Sequence, residues 1–216
     1  MAEQISKQSL APTRHLPRRI DDWIEAGTAL RRLRRLFPLR RVTTVEAIGI
    51  AERQAYLLLA ICGVDRIPVP AELIGELSAV RVVSYARAPI AGANLWDGAG
   101  WVIVLDERQC VQHRRSTLAH EFKHIIDAVD RDRYEDVDVA EPLADYFARC
   151  LLMPRPWVKA ALADGVRDVR DLAAVFDVPV SMMEQRLGEL GLEHDVRTRR
   201  FNVRRRPRCR HRVCPR

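Results

Sequence analysis

The sequence contains no apolar run long enough to cross a bilayer. Its longest, Ala55 to Val64, is half the length required, since a spanning helix takes about 20 such residues. The N-terminus does not show the basic, apolar, small-residue order of a secretory signal, so the chain is read as cytoplasmic. Cysteine is scarce and odd in number, at Cys62, Cys110, Cys150, Cys209 and Cys214, which fits reduced thiols better than a disulfide framework. The first three lie among apolar neighbours, where cysteine behaves as a small hydrophobe. Cys209 and Cys214 flank His211 but match no strong zinc spacing, and an unstructured Arg-rich tail is the simpler reading. Internal repeats are lacking too. What is present, 48% apolar and 30% charged residues in 216, excludes disorder of the whole chain and suits one domain with extensions or at most two small ones.

The net charge of +7, taken alone, suggests a polyanionic partner. Resolved along the chain it says something else. Residues 1–41 hold ten Lys/Arg against four Asp/Glu, and residues 196–216 hold ten Arg and no acid. Residues 42–195 are left with 16 basic and 25 acidic side chains. The basic character belongs to the ends, and the middle is acidic. The terminal arginines would bind nucleic acid non-specifically and with strong salt dependence. Phe201 is the one aromatic among them, which argues against base stacking. Three segments are therefore expected: a basic N-terminal extension over 1–43, a globular domain over 44–195 and a tail over 196–216.

Periodicity predicts an amphipathic helix from about Asp21 to Phe37, stopped by Pro38. A long helix follows from Thr44 to Cys62, with Gly63 ending it, and a short one spans Ala71 to Leu77. Two β-branched runs, Val80 to Tyr85 and Trp101 to Leu105, read as strands on either side of a loop around 92–100. The remainder is helical, at about 115–130, 142–152, 155–163, 168–176 and 181–190. The class is α+β, with a small antiparallel sheet packed against several helices.

His120-Glu121-Phe122-Lys123-His124 is the strongest local signal. Residues four apart share a helix face, so both imidazoles can reach one metal ion. Glu121 lies beside that face, where it can take a proton from a water on the metal. In a chain with six histidines among 216 residues, the pattern arises by chance about 0.01 times. Leu118, Phe122, Ile125, Ile126 and Val129 form an apolar stripe on the other side, which packs this helix into a core. Two imidazoles and a carboxylate on such a helix need partners, since an unpaired buried polar group costs on the order of 1–3 kcal/mol.

A third protein ligand leaves one position open for water. The best candidate is Glu141, with Glu135, Asp136 and Asp138 as rivals. On a helix Glu141, Ala144, Asp145 and Ala148 line one face, and the two alanines allow close approach to the histidine helix. Asp145 can accept the second ring N–H of a ligand histidine and fix its tautomer. Pro142 suits a first helical turn but disfavours helical φ/ψ at Glu141, which points to an N-cap position for that glutamate.

At these residues the chain resembles the ImmA/IrrE metallopeptidase family. The resemblance rests on Ser116-Thr117-Leu118-Ala119-His120-Glu121 and on Glu141-x-x-Ala144-Asp145-x-Phe147-Ala148-x-x-Leu151-Leu152-Met153-Pro154. It continues through Leu172-Ala173-x-x-Phe176-x-Val178 to Arg186-Leu187 and Leu190-Gly191-Leu192, covering about residues 46–192. It implies a compact zincin-like fold, a zinc ion on His120, His124 and Glu141, and Glu121 as catalytic base. It also implies an intracellular zinc endopeptidase, of a type often encoded by phage or mobile elements. The expected substrate is a helix-turn-helix repressor. Two positions depart from the family pattern. Lys123 stands where Gly is usual, and its side chain can either swing to solvent or alter helix packing or the electrostatics of the metal; Asp145 stands where Asn is usual.

Residues 168–190 have the outline of a DNA-reading helix-turn-helix. The second helix, however, carries Glu184 and Glu189 against Arg186, the wrong sign for facing phosphates. Val180, Met183, Leu187 and Leu190 fit a core stripe instead. His113 and Tyr134 lie near enough in sequence to serve as oxyanion donors. The alternative to an enzyme is a non-catalytic regulator of the same fold that binds a repressor or DNA through its basic ends.

Overall fold

A computed structural model describes residues 29–77, 79–86 and 90–196. The expected tail, with Cys209, His211 and Cys214, and most of the first expected helix lie outside the described residues. Residues 29–34 are helical. Helix α1 (Thr44–Ile61) follows, opened by a capping box in which the Thr43 hydroxyl accepts from the Glu46 N–H and the Glu46 carboxylate accepts from the Thr43 N–H. It ends as the glycine predicts: Gly63 has φ +62°, and the Val64 N–H reaches back to the Leu59 carbonyl, a closure that left-handed glycine allows. Next come the short α2 (Leu73–Glu76), strands β1 (Val80–Tyr85), β2 (Gly92–Trp96) and β3 (Trp101–Asp106), and helix α3 (Val111–Asp127). Helices α4 (Ala140–Leu152), α5 (Arg155–Ala163), α6 (Val169–Phe176) and α7 (Val180–Leu190) complete the domain.

The class is α+β, as expected, but the sheet is mixed rather than antiparallel. Strand order is β1-β3-β2. β1 runs parallel to β3, with Val80 opposite Trp101, and β2 runs antiparallel to it, with Gly92 opposite Leu105. The loop expected around 92–100 is thus half strand. Residues 92–96 close a hairpin on β3 through a turn at 97–100, where the Asp97 carboxylate accepts from the N–H groups of Ala99 and Gly100. With β2 inserted on one side, β1 is left to pair with the other edge of β3 in the parallel sense. β3 is central and its Val102, Ile103 and Leu105 are buried.

Helix α3 lies across β2 and β3 and packs against α4, which in turn packs on α1. The apolar stripe is as read from the sequence through Leu118, Phe122, Ile125 and Ile126, all buried. Val129 departs from it: α3 stops at Asp127, and Val129 is exposed.

The expected boundary after residue 43 does not coincide with the packing. Leu30, Leu33, Phe37 and Val42 belong to the same buried cluster as the α1, α3 and α4 side chains. The Phe37 ring meets that of Tyr134 edge-on at 5.2 Å, and Arg34 donates to the carbonyls of Ile125 and Ile126 at the end of α3. Those last carbonyls lack intrahelical partners, so residues 29–42 cap the histidine helix as well as covering it.

Candidate metal centre

His120 and His124 project from consecutive turns of α3, their rings 4.8 Å apart at 74°. Their Nε2 atoms are 3.1 Å apart. From α4, Glu141 brings one carboxylate oxygen to 3.2 Å from His120 Nε2 and the other to 3.3 Å from His124 Nε2. Among the described residues this is the one group of three potential ligands gathered around a common point. Bonds of 2.0–2.1 Å in a tetrahedral site place ligand atoms about 3.3 Å apart. The three groups already have that separation, and the donor set suits a divalent ion. His124 is buried and His120 mostly so, whereas Glu141 is 74% exposed at its side chain, so the group opens to solvent on one side.

Glu141 reaches this place from the first turn of α4 and not from an N-cap. A turn of 3-10 helix at Val137–Val139 runs straight into the helix, so Ala140 already has helical geometry. Pro142 then falls where a missing N–H costs nothing. The rivals Glu135, Asp136 and Asp138 lie outside the group.

Asp145, one turn after Glu141, holds His120 Nδ1 at 2.8 Å. The hydrogen bond from His120 keeps the Asp145 carboxyl below its ordinary pKa. A carboxylate can only accept, so the proton of neutral His120 sits on Nδ1 and the Nε2 lone pair faces the group. Burial opposes a charge on His120, but the hydrogen bond and charge of Asp145, with Glu121 and Glu141 adding, outweigh it and raise its pKa. For His124, burial followed by the neighbouring His120 lowers it. Arg131 Nη2 lies 3.2 Å from His124 Nδ1. A guanidinium only donates, so ligation through Nε2, which moves the proton to Nδ1, requires Arg131 to turn away.

Glu121 is buried beside the histidines at the wall of a cleft of about 480 Å³. Ile90 and Gly92 line this cleft on the strand side, and Ser181, Met182 and Gln185 of α7 on the other. The second helix of the helix-turn-helix outline is therefore part of the cleft wall. Its inner stripe is Met182, Met183, Arg186 and Leu187, with Val180 at 38% exposure instead of buried. His113 lines the same cleft, its Nδ1 3.0 Å from the exposed Cys110 Sγ. Tyr134 does not: its hydroxyl is buried and donates to Asp127, which removes it as an oxyanion donor. Of the two courses open to Lys123, the structure takes the inward one. Its side chain is 1% exposed and its Nζ lies 2.5 and 2.6 Å from the two Asp127 oxygens, so it turns inward to an ion pair and not to solvent.

Over residues 78–188 the chain matches the IrrE N-terminal-like domain of peptidase family M78. The chain belongs to that family. The match takes in the sheet and every residue of the centre. No curated protein matches the chain. A solved structure described as a Mycobacterium tuberculosis transcriptional regulator is similar at 18% identity and a TM-score of 0.49, over 79% of this chain and 52% of that one. The chain thus spans about half the length of that protein. The matched stretch includes the His-Glu-x-x-His arrangement at residues 120–124.

Sequence reasoning missed Asn94, whose amide meets Glu121 at 2.6 Å, and Arg131. The Asn94 contact spans 27 residues and the Arg131 contact seven. Asn94 sits in a stretch poor in β-formers and gave no signal; for Arg131, in an acidic loop, the signal was its nearness to the motif in sequence.

Proposed function

We propose that this chain is a metal-dependent endopeptidase with zinc held by His120, His124 and Glu141. The observation that carries the reading is the convergence of these three side chains at 3.1–3.3 Å beside a buried glutamate in a cleft. A divalent ion held by these three residues would supply Lewis-acid polarisation of a carbonyl and activation of water. Glu121 acts as general base towards the attacking water and passes the proton to the leaving amine. Asp145 keeps His120 in the ligating tautomer. The cleft between β2 and α7 receives an extended segment of a protein substrate, and a helix-turn-helix repressor is the substrate class the family resemblance favours.

The test is incubation of the purified protein with candidate repressors, with and without a chelator. Cleavage is expected with the wild type and zinc and is lost with the chelator. Glu121→Gln keeps the metal and loses cleavage, while His120→Ala loses both. A Glu121→Gln protein that retains its full biological effect would instead identify a binding regulator that needs no hydrolysis.

A further inference from the structure

A glutamate side chain has three rotatable bonds, so a general base must be held to be aimed. Two residues of β2 do this for Glu121. Asn94 Nδ2 lies 2.6 Å from Glu121 Oε2. A carboxylate only accepts, so the atom facing it is the amide nitrogen. Two positions earlier on the same strand face, Gly92 leaves room for the same side chain. A Cβ there would stand 2.3 Å from Thr117 Cγ2, 3.1 Å from Glu121 Oε1 and 3.2 Å from Glu121 Cγ. The strand is itself fixed, with Gly92 paired to Leu105 and Asn94 to Ile103 of the central strand.

We propose that Asn94 is a positioning residue for Glu121, gripping one carboxylate oxygen from the sheet while Gly92 provides the clearance that lets β2 come that close. Asn94 touches no reacting atom and acts through Glu121. The inference rests on the endopeptidase reading for its effect on rate, but the contact itself does not.

The contact is tested first in the metal-free protein by the side-chain amide resonances of Asn94 in a ¹H–¹⁵N spectrum. Glu121→Gln removes the charged acceptor and should move those resonances well beyond the changes at other side-chain amides. No movement overturns the proposal. In the zinc-loaded protein, Asn94→Ala should lower kcat about 10- to 100-fold, the range for a hydrogen bond to a charged group. KM should stay within about threefold and the bound zinc should be unchanged. The near-isosteric Asn94→Asp sets two carboxylates against each other and should lose at least as much. Loss of stability with kcat intact would reduce Asn94 to a packing role and overturn the proposal. If the wild type cleaves nothing, the endopeptidase reading fails, and the amide resonances still decide whether Asn94 holds Glu121.

Discussion

At the scale of single residues, the most consequential departure is Lys123. Burial lowers its pKa, and Asp127 opposes that shift through two close contacts. Tyr134 donates to the same carboxylate at 2.6 Å, and burial, with Asp127 adding, raises the phenol's pKa. The three groups form a buried knot one residue away from His124. Removing one member of a buried pair leaves an uncompensated charge, at a cost of about 3–5 kcal/mol. Lys123→Ala should therefore lower the unfolding free energy in urea by about that amount. Replacing Lys123 by Met and Asp127 by Leu together should recover most of it, since well-packed apolar pairs often substitute without loss. Equal damage from the single and double variants would contradict this account. The sequence shows part of the knot, since Lys123 and Asp127 are four apart on one helix; such a pair looks like a solvated surface pair, and Tyr134 joins it only when the 128–139 segment folds back.

Elements show the same division between local and non-local information. Helix α3 was legible because its stripe and its histidine pair share one period. Strand β2 was not, because Gly92-Ala93-Asn94 contains no β-branched residue. Its extended form comes from pairing with β3 and from the narrow gap to α3. Helix spacing made Glu141 a candidate beside Glu135, Asp136 and Asp138, and its place within the first turn depended on the preceding 3-10 turn. The N-terminal boundary was obscured by charge, since the arginines around Leu30, Leu33 and Phe37 made a core-packing segment look like an appendage. Burial of these three and Val42 contributes roughly 6–12 kcal/mol, comparable with the whole stability of a typical domain. Deleting residues 1–43 should accordingly abolish the cooperative thermal transition followed by circular dichroism. An unchanged melting temperature would restore the view of a dispensable extension.

For the whole molecule, the +7 charge is a poor guide to function. The candidate centre lies in the acidic middle, and residues 197–216 fall outside the described residues. Among the described residues no helix is long and apolar enough to cross a membrane. What the fold contributes is convergence: two helices bring three potential metal ligands together, and an edge strand closes on the fourth group, Glu121. The central claim is that this convergence is a metal site. Its most direct test is the metal content of protein purified without chelators from zinc-supplemented cells, measured by plasma mass spectrometry. The wild type should carry one zinc ion per chain, and His124→Ala, checked for native fold, should carry none. A wild type free of metal, or a His124→Ala protein that keeps its zinc, would contradict the account.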